Sequence, residues 1–153
     1  MIASNVMTTN LLSLHADALV KDAVALFRES AVHEFPVVDS MGKLVGEVSS
    51  RSVLHYAVPA YASSELLAAM RSGPDIKSLY ANLEAELEQP LSKVMSLDVQ
   101  SVTEKTPTSA VAAMIITATG DSSHVYVIDD DGQLLGAISA RDIIRRLPEH
   151  SGA

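Results

Sequence analysis

The chain has no cysteine and no tryptophan in 153 residues, and only four tyrosines and two phenylalanines. Disulfides, thiolate metal sites and a cysteine nucleophile are thereby excluded, a usage that suits a reducing compartment. Basic residues are also scarce, 11 against 19 acidic, for a formal net charge of −8. That balance argues against a nucleic-acid partner, which calls for a basic face, and obliges any anionic ligand to find a local cluster of cations. Apolar runs fall well short of the ~20 residues of a membrane span. The opening, Met1 to Val20, lacks the basic and continuous apolar regions of a signal peptide. The expectation is a soluble cytoplasmic protein with neither a membrane nor a nucleic-acid partner. A hydrophobic content of 48% in this length suits one sizeable core.

What the chain does have is a repeat. Val6-Met7 returns as Val94-Met95, and Gly46-Glu47-Val48-Ser49-Ser50-Arg51-Ser52 returns as Gly136-Ala137-Ile138-Ser139-Ala140-Arg141-Asp142. The offset is 88 residues for the first pattern and 90 for the second, so the second copy gains two residues near Gly120-Asp121. Such a period is too long for a solenoid repeat and suits two supersecondary units sharing one core.

Each copy carries the same signals in the same order. A short extended stretch, Leu11 to Leu14 or Val99 to Val102, precedes a helix start marked by Asp17 in copy one and by Thr106-Pro107 in copy two. Val20, Ala23, Val24 and Phe27, and likewise Val111, Met114, Ile115 and Ala118, form one apolar stripe per helix. The β-branched runs Phe35 to Val38 and Val125 to Ile128 end in the turns Asp39 to Gly42 and Asp129 to Gly132, and second strands follow over Lys43 to Val48 and Gln133 to Ile138. Helices open again from Arg51 and Arg141. Each copy therefore reads β-α-β-β-α, an α+β (α/β) organisation, with the first copy over 1–54 and the second over 91–153. The segment 55–90 between them belongs to neither. Leu66, Leu67 and Met70, a breaker at Ser72-Gly73-Pro74, and then Ile76, Leu79, Tyr80, Leu83 and Leu87 predict two short helices, laid over the chain's own core or presented to a partner.

In the order of these pieces the sequence resembles a tandem pair of CBS domains, the regulatory module named after cystathionine β-synthase. The resemblance rests on the paired Val-Met openings, the helix after them, the strand ends Pro36-Val37-Val38-Asp39 and Val127-Ile128-Asp129, and the two Gly-x-x-Ser-x-x-x stretches. It implies sheets packed about a pseudo-twofold axis, clefts that often hold adenosine derivatives, and frequent pairing of two modules into a flat homodimer.

The strongest candidate site is Gly136 to Asp142. Gly136 lets backbone approach a ligand closely, and Ser139 opens a helix whose free N–H groups suit a phosphate. Ser139 can bond phosphate or ribose, and Asp142 can accept from both ribose hydroxyls. The resemblance makes the acidic residue at this position the usual ribose ligand. Ser139-x-x-Asp142 is equally a helix capping box, and both roles can coexist. Arg141 is a candidate phosphate contact, whereas Arg145 and Arg146 read as a cationic helix end. By resemblance, Thr8 and Ser96, after the paired methionines, match hydroxyl residues that reach ribose or phosphate, with Ser96 assigned to the second copy's site. Adenine is expected near Val102 and the run from Val125 to Val127, where main-chain groups can read its edge while the side chains double as core. The first copy supplies a weaker second site of Thr8, Gly46, Ser49, Arg51 and Ser52, because Ser52 replaces the carboxylate and a neutral acceptor bonds less strongly.

His15, His33, His55, His124 and His150 lack the close spacing of a zinc helix or finger. Neither a P-loop nor a Gly-x-Ser-x-Gly elbow is present, so no enzyme is indicated. The reading is a regulatory module that binds AMP, ADP or ATP, requires no cofactor, involves magnesium only with a polyphosphate, and signals to an effector protein. The alternative is a ligand-free dimeric scaffold acting through its linker helices.

Overall fold

The computed structural model describes residues 1–58, 76–120 and 122–147. Two three-stranded sheets, one per copy, each carry the order expected from the repeat. In the first copy β1 (Leu14–His15) runs parallel to β2 (Glu34–Val38), which forms a hairpin with β3 (Leu44–Ser49). In the second, β4 (Gln100–Val102) runs parallel to β5 (His124–Ile128), which pairs with β6 (Leu134–Ser139). Helices α2 (Val20–Glu29) and α3 (Ser50–Ala57) flank the first sheet, and α5 (Thr108–Thr117) and α6 (Ala140–Arg145) the second. A short α1 (Ala3–Val6) precedes the first sheet, the linker contributes α4 (Ile76–Glu86), and a 3₁₀ turn at Leu91–Lys93 opens the second copy.

Both hairpins turn the same way. Asp39 Oδ1 accepts from the N–H of Met41 and Lys43, Asp129 Oδ1 accepts from that of Asp131 and Gln133, and Gly42 and Gly132 take φ of +84° and +82°. Only glycine adopts that conformation without a Cβ penalty. One strand differs between copies. Pro36 has no N–H to donate, and β1 pairs only from Leu14 opposite Val37, whereas β4 already pairs at Ser101 opposite Tyr126, the counterpart of Pro36.

Two helix starts shift from the sequence expectation. Asp17 lies in a turn, and α2 begins at Val20, where Leu19 N–H bonds Asp22 Oδ2 at 2.9 Å. Pro107 caps α5 rather than entering it. The buried stripes agree with the pattern for Val20, Ala23 and Val111, with Val24, Phe27, Met114 and Ile115 packed beside them. Of the linker, Leu83 packs on the first core and Tyr80 is exposed. The linker's end caps α2, since Val20 and Lys21 donate to the carbonyls of Gln89 and Leu87. Leu66, Leu67, Met70 and the breaker at Ser72 to Pro74 lie outside the described residues.

The two cores do not follow the two copies. Ala3 and Val6, from the start of copy one, are buried with Val102, Val111, Val125, Val127 and Ile138 of copy two. Leu91 and Val94, from the start of copy two, are buried with Leu14, Val20, Phe35 and Val48 of copy one. Each opening then bridges the other copy's hairpin: Thr8 pairs with Ala137, and Ser96 with Glu47. Ile2 with Pro107 and Leu19 with Pro90 repeat the exchange one step away, while Lys43 pairs with its own counterpart Gln133 on the pseudo-twofold axis.

This exchange gives the repeated glycines a role different from ligand approach. A Cβ on Gly46 would stand 2.8 Å from the Ser96 carbonyl oxygen, and one on Gly136 would stand 3.0 Å from that of Thr8 and 2.8 Å from Met7 Sδ. Gly46→Ala and Gly136→Ala therefore push a crossing backbone segment off its sheet. Each is expected to lower unfolding free energy by about 1–3 kcal/mol, measured by urea denaturation; unchanged midpoints would show that the crossing segments tolerate displacement.

Candidate functional site: a cleft built by both copies

A cavity of about 540 Å³ opens where the crossing segment of copy one lies over the second sheet. Ligand pockets commonly fall in this size range. Its walls come from three places: Thr8, Asn10, Leu11 and Leu12 of the crossing segment, Val32, Glu34, Phe35 and Pro36 around the start of β2, and His124, Tyr126, Ala137, Ser139, Arg141, Asp142 and Arg145 of copy two.

The polar wall centres on Asp142. Its Oδ2 accepts from the Ser139 N–H at 2.8 Å and hydroxyl at 2.9 Å, and its Oδ1 accepts from the Thr8 hydroxyl at 3.0 Å. Ser139 Oγ in return accepts from the Asp142 N–H at 3.4 Å, so the capping box exists and its carboxylate still faces the cavity. Arg141 and Arg145 are exposed and line the same space, which supplies the local cations that the acidic chain otherwise lacks. Arg145, read from sequence as a helix-end charge, thus stands in the cavity wall.

Several candidates are placed elsewhere. Val102, Val125 and Val127 are buried in the second core and do not line the cavity, because the alternation of a strand sends them to the face opposite Tyr126. Gly136 faces the crossing segment. Thr8 joins the second copy's site rather than the first, and Ser96 lies across the molecule against Glu47, both as results of the exchange. Gly46, Ser49, Arg51 and Ser52 remain together in copy one, where Ser49 and Ser52 form a capping box without a carboxylate. Tyr126, within the run expected beside the adenine, does line the cavity, whereas Asn10, Leu11, Leu12 and Val32 line it without having been singled out as site residues, and their signal is visible only once the crossing is known.

The first copy differs at the register position of Ala137. There it presents Glu47, which is 4% exposed and receives hydrogen bonds from the hydroxyls of Tyr126 and Ser122 on Oε2. Beside it, Glu34 Oε2 lies 2.7 Å from His124 Nδ1, and these two residues are counterparts across the pseudo-twofold axis. Ser123 donates to Glu34 through its N–H and hydroxyl. Burial pushes the Glu47 carboxyl above the ordinary carboxylate range despite the Tyr126 bond. The Glu34 bond raises His124 against burial, with help from the charges of Glu34, Glu47 and Asp142. Burial alone would raise Glu34, but the bonds from His124 and Ser123 hold it below its usual value.

The signs fix a pH window. His124 is raised, so its contribution is complete below the ordinary histidine value of 6.5 and is lost as pH climbs through the folded value. Glu34 is lowered, so its contribution persists above 4.5 and disappears only on further acidification. Glu47 is raised, so its burial costs stability increasingly above 4.5. Unfolding free energy in metal-free buffer is expected to fall as pH rises above 6.5, and His124→Gln to flatten that fall; identical slopes would remove His124 from the linkage.

Comparison with known proteins gives this architecture its place. A family model described as the CBS domain matches residues 3–59 and 91–149. An uncharacterized 17.7 kDa protein of Acidianus ambivalens is 26% identical over 144 residues, covering 94% of this chain and 71% of that protein. The crystal structure of CBSX2 in complex with AMP, a CBS-pair protein of Arabidopsis thaliana, superposes with a TM-score of 0.69 at 21% identity, covering 94% of this chain and 93% of that one. The CBS domain pair of protein MJ0100, in complex with 5-methylthioadenosine and S-adenosyl-L-methionine, gives 0.64 at 19% identity, covering 95% and 94%. With two matched segments spanning most of its length and both sheets in the expected order, the chain belongs to the CBS domain family as a tandem pair.

Proposed function

We propose that the chain is a regulatory sensor that binds an adenine nucleotide, AMP foremost, in the cavity of its second copy and signals to an effector protein. CBS pairs are typically regulatory rather than enzymatic. The observation that carries the ligand class is the Asp142 carboxylate held by Thr8 and Ser139 in a wall that also contains Arg141 and Arg145. A ribose diol donates two hydrogen bonds to one carboxylate, a phosphate accepts from guanidinium groups, and an adenine ring fits the apolar side made by Leu11, Val32, Pro36, Tyr126 and Ala137. CBSX2 with AMP and the MJ0100 pair with adenosyl compounds support the same class.

Signalling follows from who builds the walls. The cavity draws on both copies, so a ligand touching Asp142 and Pro36 together favours one arrangement of the copies over another, and a partner that prefers that arrangement completes a population shift. The effector is a separate protein, the module acts as a homodimer in the cytoplasm, and magnesium enters only with ATP or ADP.

A thermal-shift screen with AMP, ADP, ATP, S-adenosylmethionine and GTP tests the reading. A ligand of the folded state stabilises by about 2.7 kcal/mol at a hundredfold excess over its dissociation constant, so an adenine compound should raise the melting temperature visibly and GTP should not. Asp142→Asn preserves an acceptor for the cap but removes the charge, and is expected to abolish the shift while costing at most about 1 kcal/mol of stability. A screen blank for every adenine compound would contradict the sensor.

A further inference from the structure

We propose that Glu34, Glu47 and His124 form a binding site for one divalent first-row transition-metal ion at the seam between the two copies. One ligand atom from each residue lies within 4.8 Å of the others, and they come from β2, β3 and β5, so the ion would tie copy one to copy two. The cluster is enclosed: Glu47 is 4% exposed, and the side chains of Glu34 and His124 are 11% and 26% exposed.

Charge and geometry both favour a cation there. Two enclosed carboxylates face a single imidazole, and their other hydrogen-bond partners among the described residues are hydroxyls and a backbone N–H, which leaves negative charge in excess. Buried charge without a counter-charge is costly. Those hydroxyls also do what outer partners of a metal site do: Tyr126 and Ser122 fix the Glu47 carboxylate, and Ser123 fixes that of Glu34. Ligands at zinc sit about 2.0–2.2 Å from the ion, hence roughly 3.4 Å from one another in a tetrahedron. The Glu34 to His124 distance is 2.7 Å, so that pair opens by under ~1 Å, and the third ligand, within 4.8 Å of both, closes by at most about 1.4 Å.

One nitrogen and two carboxylate oxygens suit zinc, manganese, iron or cobalt rather than the all-oxygen surroundings preferred by calcium and magnesium. Glu47 has Ala137 as its counterpart, so the arrangement is not repeated at the pseudo-twofold position. Three protein ligands leave a coordination position for water or a bound molecule, and Glu34 and His124 also line the cavity. The site does not rest on what the cavity binds.

The test uses the full chain, stripped with a chelator and then dialysed against zinc chloride alone at constant pH, with zinc per chain measured by elemental analysis and melting temperature recorded with and without zinc. One equivalent should be retained with a rise in melting temperature. Glu47→Gln keeps an acceptor for Tyr126, so it should melt no lower than the parent in chelator yet lose zinc affinity by about tenfold or more; His124→Ala should lose it as well. Glu34→Gln replaces Glu47→Gln if the latter does not fold. His33→Gln, at an exposed neighbour, should retain the metal. No stoichiometric zinc in the parent, or equal retention in the Glu47 and His124 variants, would overturn the site.

Discussion

Two short antiparallel bridges, Thr8 with Ala137 and Ser96 with Glu47, hold the molecule in its form. Each requires backbone to cross directly over a glycine, Gly136 or Gly46, and each brings the first residues of one copy into the core of the other. Neither copy buries its apolar face alone. The two halves are thereby one cooperative unit, and the cavity inherits that property, since Thr8, Asn10, Leu11 and Leu12 of copy one close a wall over Ser139 and Asp142 of copy two. A ligand in that cavity touches residues from both halves at once.

Four substitutions make the two copies unlike about the same two-fold arrangement. At one register position the second copy has Ala137 and leaves room, whereas the first has Glu47 and places a carboxylate against Tyr126. Tyr126 itself stands where the first copy has Pro36. Asp142 becomes Ser52, which retains the cap but not the charge. On the axis, Glu34 meets His124 where a symmetric pair would set like against like. Two enclosed carboxylates beside one imidazole concentrate charge at this seam, and its pH response follows from that imbalance.

The fold was legible because its signals are local. The period-2 runs at Phe35 to Val38 and Val125 to Ile128, the Asp-x-x-Gly turns, the helix stripes and the Gly-x-x-Ser stretches each lie within a few residues and occur twice. The capping box of Ser139 and Asp142 was legible for the same reason. The crossing was not, because Val6 and Val94 announce that they need burial without saying in which core. From that one gap follow the displaced Ser96, the unforeseen lining by Asn10, Leu11 and Leu12, and the true neighbours of Gly46 and Gly136. Glu47 was hidden by a related effect: in a strand with Val48 facing the core, the alternate face reads as solvent, and only the packing of the second copy makes it interior.

The inequality of the two clefts is the central claim, and counting bound ligand tests it most directly. Isothermal titration of the purified chain with AMP should give one site per chain, with the second cleft silent over the same concentration range. Two sites of equal affinity would contradict it, because the carboxylate of Glu47 and the missing charge at Ser52 would then have no effect on the first copy.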